Sequence, residues 1–215
     1  MGSRFTFVAA LLALGLCPAM AAGGGLDIHI SDARGNPVAN AVVSLRSSAP
    51  MASFPAGVSK AVIDQDFETF LPLVTVLRTG GAITFHNSDR TMHQVYSFAP
   101  IKQFELEVDV GETSRAIAFD KPGVVAIGCN IHDGMIAYVY VTDDPLTALS
   151  DQQGEVHFNE LPPGVYQAIL WQPDLASGSA PPTQTVTVGE AVARVAFTVK
   201  LLPPRRTHSG HMGSY

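Results

Sequence analysis

The stretch Gly128-Cys129-Asn130-Ile131-His132-Asp133-Gly134-Met135 constrains this chain more than any other. It places a thiol, an imidazole and a thioether at successive spacings of three, close enough for one loop to turn all of them about a point. Before it, Val124-Val125-Ala126-Ile127 follows a Lys121-Pro122-Gly123 turn, and after it Ile136-Ala137-Tyr138-Val139-Tyr140-Val141 reads as a strand. The loop therefore hangs between two strands. Composition extends the β reading to the rest of the 215 residues: 47% are hydrophobic, too many for a disordered chain, and 19 Gly with 15 Pro favour short strands and many turns. A formal net charge of −6 offers no general attraction to phosphate backbones, so nucleic acid is excluded from the expected partners.

Arg4 precedes an apolar run from Phe5 to Leu16, and Ala19-Met20-Ala21-Ala22 follows. A basic start, a short apolar stretch and small residues predict a secretory signal peptide over residues 1–22. The run is well short of the ~20 apolar residues that cross a bilayer, so no membrane span is expected. Bulky Leu16 before Cys17 and Pro18 after it disfavour a lipoprotein reading. The mature protein is expected to be periplasmic or otherwise exported. Cleavage removes Cys17 and leaves Cys129 as the single thiol. In an oxidising compartment such a residue has no internal disulfide partner. It is buried and inert, paired between chains, held by a metal, or catalytic.

The neighbours of Cys129 favour a metal. Soft sulfur together with imidazole suits copper, and two His with one Cys in a plane and a long axial Met make a blue-copper electron-transfer site. The loop supplies Cys129, His132 and Met135; a second His must come from elsewhere. In the segment from Ile83 to Phe98, Asn87-Ser88-Asp89 is turn-like and His93 opens the strand that follows. His93 is therefore the expected fourth ligand. His86, inside a strand beside Phe85, is its rival and is otherwise expected behind the ligands. Closed zinc sites rarely use Met, a dinuclear copper loop needs a second Cys, and a Cys–His nucleophile leaves Met135 without a role.

Phe85-His86-Asn87-Ser88-Asp89, the H-x-V at His93, Phe119-Asp120-Lys121-Pro122-Gly123 and C-x-x-H-x-x-M together resemble the cupredoxins. The loop spacing is similar to that of amicyanins, and the overall likeness is to exported plastocyanin-like proteins of methylamine utilisation. The resemblance implies an eight-strand Greek-key sandwich over residues 50–145 and a non-enzymatic role in single-electron transfer. It implies one mononuclear copper ion held by His93, Cys129, His132 and Met135, with redox partner proteins, a dehydrogenase or a cytochrome. Two positions depart from the family. Gln94 stands where an Asn commonly braces the Cys loop, and Gly134 stands where a bulky aromatic is common.

The remaining chain reads as a second sandwich. Asp32–Val43 (D-x-x-G-x-P-V-x-x-A-V-V), Asp151–Gly154 and Leu161–Tyr166 (L-P-P-G-x-Y) resemble the carboxypeptidase-regulatory-like, transthyretin-like β-sandwich. Its expected extent is 24–49 and 146–203, interrupted by the cupredoxin, with a flexible tail at 204–215. The fold class is all-β throughout. Trp171 is expected either to cap a core or to serve as a recognition aromatic. His29 and His157 read as ordinary strand residues, and His208, His211 and Met212 as part of a solvated tail. Glu105, Glu107, Asp109 and Glu112 are either a solvated face or a means of steering a basic partner. Copper delivery or buffering, and an envelope interaction module built on the Trp171 sandwich, are the alternative functions.

Overall fold

The computed structural model describes residues 23–47, 59–176 and 180–203. The expected leader, the join near residue 50 and the tail from 204 lie outside the described residues. Strands β1 (Gly24–Asp32) and β2 (Val42–Ser47) come first. Then follow β3 (Lys60–Asp66), β4 (Thr69–Leu71), β5 (Val74–Arg78), β6 (Gly81–Asn87), β7 (His93–Ala99), β8 (Lys102–Val108), β9 (Ile117–Phe119), β10 (Gly123–Cys129) and β11 (Ile136–Thr142). The last are β12 (Leu146–Leu149), β13 (Glu155–Leu161), β14 (Gly164–Trp171), β15 (Thr183–Val188) and β16 (Ala193–Val199). The protein is all-β among the described residues, as its composition implies.

Alternation explains the layering. Along β6 every second residue (Gly81, Ile83, Phe85, Asn87) is buried and those between are partly exposed, the signature of a strand with one face on a core. The strands form four sheets, with orders β13-β1-β16, β12-β2-β14-β15, β4-β3-β6-β9 and β5-β11-β10-β7-β8. No sheet mixes β3–β11 with the strands before and after them. One core gathers Leu26, Ile28, Tyr166, Leu170 and Phe197 from the flanking strands; another gathers Ile63, Phe85, Val95, Phe119 and Ile127 from the middle ones. Burying a side chain of this size contributes about 1.5–3 kcal/mol, so each core is a substantial source of stability. The middle set has one strand more than the expected eight. Strand β4 is a short return of three residues against β3.

The two cores meet along a seam of Val42, Val74 and Tyr138. Trp171 packs there, its ring centroid 5.8 Å from Tyr138 and 5.5 Å from Tyr140. It fills a junction between cores and is only partly exposed. Only three residues separate β11 from β12, and this join is held firmly. Arg46 grips both carboxylate oxygens of Asp144 at 3.1 Å, and the Arg78 guanidinium donates to the carbonyls of Asp144 and Pro145.

Candidate metal centre

His93 is the first residue of β7 and Cys129 the last of β10, and these strands are antiparallel neighbours with Cys129 opposite Val95. Strand alternation turns His93, Val95, Ile127 and Cys129 to the buried side. Gly128 allows the two strands to close there, because a Cβ on it would meet the Tyr96 ring at 2.8 Å. Beyond Cys129 the chain turns back through Gly134, whose φ of +92° suits glycine. The Met135 N–H reaches the His132 carbonyl at 3.4 Å. This turn accounts for the glycine at position 134. Gln94 braces the loop from β7: its carbonyl accepts the Asn130 N–H at 3.0 Å and its Oε1 accepts Asn130 Nδ2 at 3.1 Å. The brace expected of an Asn at this position is thus made by Gln.

Three candidate ligands converge. Cys129 Sγ lies 3.7 Å from His93 Nδ1 and 4.0 Å from His132 Nδ1, and the two nitrogens are 3.1 Å apart. Bonds of about 2.0 Å to nitrogen and about 2.3 Å to sulfur leave donor atoms of one ion about 3–4 Å apart, so this triangle has the dimensions of a metal site. The sulfur–imidazole donor set suits copper. His93 is fully buried, Cys129 is 6% exposed, and the His132 side chain is 18% exposed. Met135 is buried in the same core as Cys129, immediately before β11. Among the described residues, His93, Cys129 and His132 form the one cluster of His, Cys and acidic residues with such spacing.

The ring nitrogens turned away from the thiol face carboxylates. His93 Nε2 lies 3.2 Å from Asp89 Oδ2, and His132 Nε2 lies 3.8 Å from Glu68 Oε1. Asp89 is itself fixed: Oδ2 accepts the Glu68 N–H at 2.7 Å and Oδ1 accepts its neighbour Arg90's N–H at 2.8 Å. Burial alone would raise the Asp89 carboxyl, but these backbone donors, with His93, hold it below its ordinary value. The His93 imidazole is pushed below its ordinary value, chiefly by burial and further by His132, against the pull of Asp89. A neutral His93 is the form that can ligate a metal. Fully buried Asn87 shapes the loop before His93. Its Nδ2 donates to the carbonyls of Thr91 and Val108 at 2.9 Å, and its Oδ1 accepts the Asp89 N–H at 3.0 Å.

His86 is placed elsewhere: it is on the outward side of β6, with Nδ1 2.9 Å from Thr113 Oγ1. The residues behind the histidines are instead Asp89 and Glu68, neither of which sequence reasoning singled out for that place. Asp89 had one signal, a carboxylate four residues before a candidate ligand. Glu68 had none, since it reaches the centre only through the pairing of β3 with β6. Glu105 and Glu107 are exposed on β8, and Glu105 also accepts from Asn130 Nδ2 at 3.3 Å.

No protein-family model matches the chain, and no curated protein matches it. Solved structures similar to part of it include a purple cupredoxin from Nitrosopumilus maritimus, at 21% identity and a TM-score of 0.34, covering 38% of this chain and 99% of that one. Amicyanin from Paracoccus versutus matches at 18% identity and a TM-score of 0.36, covering 46% of this chain and 98% of that one. Pseudoazurin from Methylobacterium extorquens matches at 26% identity and a TM-score of 0.34, covering 40% and 76%.

Proposed function

We propose that this is an exported copper protein of the blue, type 1 kind that carries single electrons between redox partners, with His93, Cys129, His132 and Met135 as ligands to one ion. The observation that carries the reading is the triangle of two Nδ1 atoms and one thiol at 3.1, 3.7 and 4.0 Å, closed off from solvent on the His93 and Cys129 sides. The partition of the strands supports a cupredoxin domain at 50–145 set into a discontinuous carboxypeptidase-regulatory-like sandwich at 24–49 and 146–203. No helix among the described residues is long and apolar enough to cross a membrane. Periplasmic placement rests on the leader-like residues 1–22.

Copper, when bound, supplies a Cu(II)/Cu(I) couple of one electron. The protein's part is to hold the donors where they already are. Asp89 faces His93 from behind, Asn87 holds the loop before it, and Gln94 and Asn130 fix the loop that carries His132, so the ligands are orientated before an ion arrives. Buried Cys129 and His93 keep water from the sulfur. Of the three, His132 has the most exposed side chain, so its edge is where a partner protein would couple to the centre. Burial of the thiol opposes rapid exchange of metal, which a delivery protein requires.

The test is reconstitution of the purified chain with Cu(II). An intense visible thiolate-to-copper absorption and a reversible one-electron wave are expected. A colourless protein, or one that yields its copper at once to a weak chelator, would refute the electron-carrier reading.

A further inference from the structure

The hairpin joining β3 to β4 turns in two residues: Asp66 pairs with Thr69, and Phe67 with Glu68 forms the whole loop. Both have left-handed backbone, with φ of +48° and +53°. Two-residue turns of this kind favour Asn-Gly, because a Cβ at positive φ is crowded. Phenylalanine and glutamate therefore stand here against local preference. Phe67 is 86% exposed, so its packing does not offset the cost. Strain of this sort points to a function when another observation gives it one.

Glu68 supplies that observation. Its backbone N–H donates to Asp89 Oδ2 at 2.7 Å, the oxygen that faces His93 Nε2 at 3.2 Å. Its carboxylate Oε1 lies 3.8 Å from His132 Nε2. One turn residue thus reaches the outer edges of both imidazoles, one through Asp89 and the other directly. Glycine would satisfy the turn better and keep the N–H contact. What glutamate adds is the carboxylate.

The geometry points to Glu68 as a positioning residue for His132, one whose carboxylate also favours the higher charge state of the ion held at the centre. This inference rests on the copper reading above and deepens it. At 3.8 Å the pair is an ionic contact rather than a hydrogen bond, and a carboxylate placed there favours the ring rotation that keeps Nε2 facing it and Nδ1 toward the thiol. Coulomb attraction grows with the charge of the ion, so a nearby carboxylate stabilises Cu(II) more than Cu(I). The carboxylate is about half exposed, which moderates the effect without changing its sign.

The experiment compares the full chain with Glu68→Gly, Glu68→Gln and Phe67→Asn, each as apoprotein and loaded with copper. In the apoprotein, Glu68→Gly is expected to melt no lower than the parent, to shift the His132 ring resonances, and to leave those of His93 in place. At the parent's midpoint potential, both Glu68 variants are expected to show a Cu(I):Cu(II) ratio raised about threefold to tenfold, and Cu(II) affinity in Glu68→Gly about tenfold weaker. Phe67→Asn relaxes the turn and keeps the carboxylate, so its ratio is expected to match the parent. An unchanged ratio in both Glu68 variants, unmoved His132 resonances, or an equal shift in Phe67→Asn would overturn the proposal. If the parent itself shows no thiolate-to-copper band, the copper reading fails, while the ring resonances of the apoprotein still decide whether Glu68 positions His132.

Discussion

Four imidazoles among the described residues face a carboxylate, and the two pairs on the flanking sandwich differ instructively from the two at the thiol. On the β1–β13 ladder, His29 Nδ1 lies 2.8 Å from Glu155 and His157 Nδ1 lies 2.8 Å from Asp27, with both rings about half exposed. At the other place the distances are longer, 3.2 Å for His93 and 3.8 Å for His132. Contact length is thus a poor guide to consequence. Solvent screens the exposed pairs, so their short contacts contribute little. At the thiol it is Nε2 that meets the carboxylate, leaving Nδ1 to converge with a second Nδ1 and a sulfur. The surroundings also reverse the effect on the ring. Asp27 raises His157 above its ordinary value, whereas burial outweighs Asp89 and lowers His93.

The contrast breaks first at the sulfur. Cys129→Ala is expected to abolish the visible thiolate-to-copper absorption altogether, while a His29→Ala/His157→Ala double variant keeps it at full intensity; optical titration with Cu(II) decides. Next, Asp89→Ala should weaken Cu(II) binding by about 10–100-fold, and Asp27→Ala should leave it unchanged, as measured by competition with a chelator. A third difference lies in pH. His93 is depressed from 6.5, so its neutral form contributes stability that is present above 6.5 and lost as the pH falls through its lower folded value. The urea midpoint of the apoprotein should fall on that acid limb, and His93→Gln should flatten it. The smallest effect has the opposite sign. His157 is raised from 6.5, so its contribution is present below 6.5 and fades as the pH rises through the higher folded value. His157→Gln should remove this slight slope above 6.5.

Much of this arrangement is legible from local pattern. Alternation locates β6 to within a few residues, because it has one face on a core, and an unbroken apolar run locates β11, which is buried on both faces. The C-x-x-H-x-x-M spacing and a histidine at the start of a strand name the side chains that the structure draws together at His93, Cys129 and His132. Other features depend on distant chain. Glu68 meets His132 because β3 pairs in parallel with β6, which brings Gln65 beside Asn87 and the hairpin tip beside the loop at Asp89. Nothing within ten residues of Glu68 encodes that register. Gln94 shows a subtler limit: its residue type differs from the commonly found Asn, yet its carbonyl and Oε1 still reach Asn130. The direction of a side chain mattered there more than its name. Trp171 is similar, since its place depends on two tyrosines from a different sheet.

The parallel ladder between β1 and β16 joins the first and last strands, from Leu26 opposite Ala193 to Asp32 opposite Val199. A ribosome makes these partners almost a whole chain apart, so the outer sandwich cannot knit until its final strand has emerged. The strands around the thiol are all present once Thr142 is made. Synthesis from the amino terminus therefore lets the sheets around the thiol form before the β1–β16 ladder can close, and that long-range closure comes last.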